Sequence, residues 1–117
     1  MRTRILVALL SLLLGGTIDA YAHAFLDHAN PRVGNTVATA PREVTLWFTQ
    51  TLEPAFSTMT ITDSSGQRVD AGKPSISGNV MRVALRAVKA GTYRVAWHVL
   101  SVDTHKTEGT FTFRVGE

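Results

Sequence analysis

The sequence predicts a small all-β domain, an antiparallel β-sandwich or Greek-key barrel of about seven short strands. Three observations carry that prediction. Apolar and polar residues alternate with a period of two through most of the chain. Turn-forming residues punctuate the alternating runs. Beyond the N-terminal leader, no stretch offers the 3.6-residue periodicity of an amphipathic helix.

The elements follow in chain order. Successive side chains of a strand point to opposite faces, so each alternating run has one side to bury. A first strand ends at "ANPRVG", where the chain gives way to a loop. "EVTLWFT" (43–49) puts Val44, Leu46 and Phe48 on one face. "STMTIT" (57–62) offers Met59 and Ile61, and "VMRVALR" (80–86) offers Met81, Val83 and Leu85. "TYRVAWHV" (92–99) aligns Tyr93, Val95, Trp97 and Val99, and "GTFTFRV" (109–115) aligns Phe111, Phe113 and Val115. Between them lie "DSSGQ" (63–67), "SGN" (77–79) and "KAG" (89–91), with Pro31, Pro41, Pro54 and Pro74 in connections.

The first residues set the compartment. Arg2 and Arg4 precede the apolar run "ILVALLSLLL", Ile5 to Leu14. That run falls short of the roughly 20 apolar residues of a membrane span and suits the apolar region of a secretory signal peptide. A membrane anchor is the alternative, opposed by the polar break at Thr17 and Asp19. Cleavage after Ala20-Tyr21-Ala22 removes residues 1–22 and leaves one domain, residues 23–117, that begins with His23. Cleavage after Ala22-His23-Ala24 also satisfies the small-x-small rule but discards that histidine.

Composition then narrows the chemistry. The chain has 12 Lys+Arg against 9 Asp+Glu, a formal net charge of +3, and the bases are scattered. Nucleic acid is therefore not an expected partner. No cysteine is present, so the fold must rest on its core, and thiolate metal sites, blue copper included, are excluded.

Four histidines remain as donors: His23, His28, His98 and His105. Asp103-Thr104-His105 is an Asp-x-His pair, and residues i and i+2 of an extended chain share a side. Ser101, Asp103 and His105 continue the odd-numbered phase of Tyr93 to Val99, so a regular strand carries the pair to the rim, pointing inward over the core. An Asx-type turn with a solvent-exposed histidine is the competing reading. His98 has the opposite parity and is expected to face outward; His28 is expected at the surface. His23, once N-terminal, can chelate through its α-amine and Nδ1 together. With His105 and Asp103 this makes three nitrogens and one oxygen, a set suited to tetragonal Cu(II) more than to tetrahedral zinc.

The segments "HAFLDHANPRVGNTV", "VTLWFTQTLEPAFS" and "AGTYRVAWHVLSVDTHKTEGTFTFRV" resemble the CopC family of periplasmic copper-binding proteins over nearly all of residues 23–117. The resemblance implies a cupredoxin-like Greek-key β-barrel and a Cu(II) site of His23, Asp103 and His105. It implies a periplasmic carrier or buffer in copper resistance and homeostasis, delivering to an inner-membrane transporter of the CopD type. A monomer and a single Cu(II) are expected. Some members carry a Cu(I) site in a Met-rich loop; here only Met59 and Met81 follow the leader, on inward faces, so no Cu(I) site is expected.

Two other readings compete. An amine-bound N-terminal histidine also occurs in the histidine brace of copper monooxygenases, but Asp103 would fill an equatorial position that oxygen needs. No enzyme is therefore expected. A metal-free immunoglobulin-like adhesion module fits the strands but leaves the Asp-x-His pair unexplained.

Overall fold

The alternation folds into eight strands among residues 25–116, which the computed structural model describes; the expected leader, the expected cleavage sites and His23 lie outside these residues. The strands are β1 (Leu26–Asn30), β2 (Thr36–Val37), β3 (Glu43–Phe48), β4 (Thr58–Thr62), β5 (Asp70–Ser77), β6 (Val80–Leu85), β7 (Gly91–Leu100) and β8 (Lys106–Val115). They form two four-stranded sheets, ordered β1-β3-β6-β5 and β2-β8-β7-β4. The predicted sandwich is present, with two additions. β2 runs parallel to β8, pairing Thr36 with Arg114 and Val37 with Val115. β5 contains Gly72 and Pro74, which hide it from pattern reading. It is an edge strand whose register shifts between Ala71 and Ser75, and a sheet tolerates proline there.

The phases read from the sequence hold. Val44, Leu46 and Phe48 of β3, Met59 and Ile61 of β4, and Met81 and Val83 of β6 are buried. So are Tyr93, Val95, Trp97 and Val99 of β7 and Phe111, Phe113 and Val115 of β8. Each such side chain taken from water stabilises the fold by about 1.5–3 kcal/mol. Phe48 links the layers at the end where β1 starts: its ring lies 5.5 Å from Phe25 and 5.3 Å, edge-on, from Trp97.

The indole of Trp97 needs a gap, and Gly109 provides it. The two residues face each other across the β7–β8 ladder. A Cβ at position 109 would lie 2.6 Å from Cζ2 and 2.9 Å from Cε2 of the ring. With Trp97 buried against Phe48, the ring has little room to yield. Gly109→Ala should therefore lower stability by about 1–3 kcal/mol, as overpacking does. Urea unfolding tests this, and an unchanged midpoint would mean that the indole relocates freely.

One buried carboxylate stitches the two sheets together. Asp70 opens β5, yet its Oδ1 accepts the Ile61 amide of β4, in the other sheet, at 3.0 Å. Arg68 grips the same carboxylate with Nε at 3.0 Å and Nη2 at 2.5 Å. The Arg68 hydrogen bonds, aided by the Ile61 amide and opposed by burial, hold the Asp70 carboxyl below the ordinary 3.8. Asp70→Ala would leave the Ile61 amide unpaired and should destabilise by about 2 kcal/mol. Because the folded pKa is depressed, this stabilisation is complete above the unfolded pKa and is lost as pH falls through the folded value. The stability gap between native and variant should thus shrink as pH falls below about 5. A constant gap in pH-dependent unfolding would contradict the assignment.

Candidate metal centre

The core phase of β7 runs one residue past the strand. Ser101 is fully buried, whereas Val102, Asp103, Thr104 and His105 are exposed. Leu100 pairs with Lys106, and the chain reverses across Ser101–His105. The Ser101 amide donates to the His105 carbonyl at 3.0 Å, and the Thr104 amide to the Ser101 carbonyl at 2.9 Å. The expected inward projection of Asp103 and His105 is therefore corrected: both lie at the tip of a turn. They meet because the chain folds back, not because an extended strand keeps them on one side. His105 Nδ1 lies 3.2 Å from Asp103 Oδ1.

Thr104 carries the reversal at φ 71°, in the left-handed region that β-branched residues avoid. Such a strained backbone persists only where its surroundings hold it. Here the Thr104 hydroxyl donates to the Asp103 carbonyl at 2.5 Å, and Ser101 clamps both ends. The Ser101 hydroxyl also donates to Asp103 Oδ1. That bond and, behind it, the hydrogen bonds of the His105 side chain and amide hold the Asp103 carboxyl below the ordinary 3.8. The turn thus presents an ionised carboxylate beside an imidazole.

The other two described histidines stand apart from this pair. His98 faces outward, as its parity predicts, and its Nδ1 lies 2.8 Å from Oε2 of Glu108 on the neighbouring strand. His28 is exposed and stacks on Trp47, ring centroids 4.3 Å apart and 11° from parallel, with Nδ1 2.6 Å from Asp27. A register shift between Leu26 and His28 turns both Asp27 and His28 to the surface.

Among the described residues no group of three or more His, Asp or Glu side chains could hold a metal. The turn offers one nitrogen and one oxygen donor, so a complete site needs a further ligand. The start of the described chain is near at hand in topology. The Phe25 carbonyl accepts the Thr49 amide at 2.9 Å, and the Thr51 carbonyl accepts the Val102 amide at 3.0 Å. Leu52 bridges to Ser101. Phe25 and the turn thus border the same short segment, Thr49 to Leu52. Sequence reading passed over the hydroxyl of Ser101; the available signal was a polar residue at a position whose parity belongs to the core.

A family model described as CopC domain matches residues 26–116. Protein YobA of Escherichia coli (strain K12) is 38% identical over 103 residues, covering 85% of this chain and 83% of YobA. Copper transport protein CutJ of Bacillus subtilis (strain 168) is 28% identical over 120 residues, 99% of this chain but 22% of CutJ. Among solved structures, the fold is similar to that of PcoC from Escherichia coli, described as a methionine rich copper resistance protein. That match has a TM-score of 0.68 and 34% identity, over 80% of this chain and 99% of PcoC.

Proposed function

The chain belongs to the CopC family, and from that premise we propose that it is an exported Cu(II) carrier or buffer serving copper resistance and homeostasis in the periplasm. In this reading residues 1–22 are removed on export, and residues 23–117 form a monomeric domain with one Cu(II) as cargo. The observation that carries the reading is the meeting of Asp103 and His105 at the β7–β8 turn. His23 would add its α-amine and Nδ1, completing three nitrogens and one oxygen, a set that favours Cu(II). The shared border of Phe25 and the turn on Thr49–Leu52 supports this assembly, because Phe25 follows His23 by two residues.

Cu(II) rather than Cu(I) is the proposed cargo, since Met59 and Met81 are buried on separate strands and spend their thioethers on packing. The match to about a fifth of CutJ supports delivery to a membrane copper transporter of the CopD type, because there a similar domain is part of a longer copper transport protein. The deciding experiment titrates mature protein with Cu(II), records the EPR spectrum, and then adds reductant under oxygen. A tight 1:1 axial spectrum without oxygen consumption is expected. Sustained oxygen uptake would replace the carrier with a copper oxidase, and no binding would leave a metal-free module.

A further inference from the structure

We infer that the Ser101 hydroxyl positions the Asp103 carboxylate for the metal: it occupies Oδ1, so that Cu(II) is met by Oδ2 alone. This rests on the proposed copper site. Ser101 is 0% exposed and sits at an inward position, and every other one of the largest fully buried side chains is apolar. A buried hydroxyl without a hydrogen bond is destabilising, so this one needs an acceptor. Two acceptors are in reach, Asp103 Oδ1 and, at 3.3 Å, the His105 carbonyl. The hydroxyl has a single proton, and the charged, nearer Oδ1 takes it.

The contacts of the Asp103 carboxylate then converge on one oxygen. Oδ1 receives the Ser101 hydroxyl, approaches the His105 amide at 3.4 Å and lies 3.2 Å from His105 Nδ1. Ser101 is itself fixed by its backbone bonds to His105 and Thr104 and by the bridge to Leu52. The carboxylate at an exposed tip is thereby anchored to the core through one side chain. Binding through one oxygen suits a tetragonal Cu(II) plane, and a single carboxylate oxygen beside nitrogen donors falls far short of the roughly six to eight oxygen ligands that Ca²⁺ takes.

The test is a double-mutant cycle on mature protein, reading Cu(II) affinity by competition titration. Ser101→Ala should weaken binding about 10- to 100-fold, as loss of a group supporting a ligand does. In an Asp103→Ala background the same change should have less than about a twofold effect, because the group it positions is gone. Equal losses in both backgrounds, or no loss in the first, would overturn the assignment. An infrared difference spectrum of native protein loaded with Cu(II) keeps the proposal testable if Ser101→Ala does not fold. A wide separation of the asymmetric and symmetric carboxylate bands, the mark of one-oxygen binding, is expected, and a narrow one overturns it. Native affinity in Asp103→Ala alone would take Asp103 out of the copper site, a failure distinct from a Ser101 without effect.

Discussion

One residue added ahead of His23 should reduce Cu(II) affinity about a thousandfold, roughly 4 kcal/mol. The proposed site draws two of its nitrogens from that single residue, the α-amine and Nδ1, closed into one chelate ring. An added methionine or glycine converts the amine to an amide nitrogen, a poor ligand unless deprotonated, and places its own bulk at the ion. Stability should be unchanged, because the change lies outside the described strands and leaves Phe25, buried against Phe48, in place. Intact-mass measurement of the exported protein and copper titration of the native and extended forms make the comparison. Equal affinity, or an exported chain beginning at Phe25, would show that "AYAHAF" is only a cleavage site.

Asp103→Ala and His105→Ala should each weaken Cu(II) binding about a hundredfold, close to 3 kcal/mol, if the roughly 10–16 kcal/mol typical of a tight site is shared among its ligands. Neither change should unfold the protein. Both side chains stand exposed at the tip of the turn, and the backbone bonds between Ser101, Thr104 and His105 remain. His98→Ala is the control: its imidazole is engaged with Glu108 on the outer face of the sheet, and its loss should leave copper affinity unchanged. Native affinity in both ligand variants would dissolve the proposed site. A loss shared by His98→Ala would move it onto the strand.

The candidate site was only partly legible in advance. Asp103 and His105 stand out by spacing alone, yet the reason first given for their meeting does not hold. Parity along an extended strand predicts an inward pair, and the chain instead turns at Ser101. His98 was readable because it lies within the regular strand, where parity still governs. His28 lies at the surface as expected, although the register shift beside it turns its neighbour Asp27 out as well, which parity does not foresee. Ser101 was visible as a residue and invisible as a partner, since nothing local marks where its hydroxyl points.

The sequence by itself determined which faces of β3, β4, β6, β7 and β8 are buried, and it determined the donor inventory: imidazoles, carboxylates and no thiolate. Both are local properties, one set by the two-residue period of an extended backbone and the other by composition. Tertiary structure decided where β7 stops, which side chain anchors Asp103, and that Phe25 and the turn border the same segment. These depend on bonds between residues far apart in the chain, Val102 to Thr51, Ser101 to Leu52 and Thr49 to Phe25. A buried amide or carbonyl must find a partner, and at this end of the sandwich only the assembled sheets supply one.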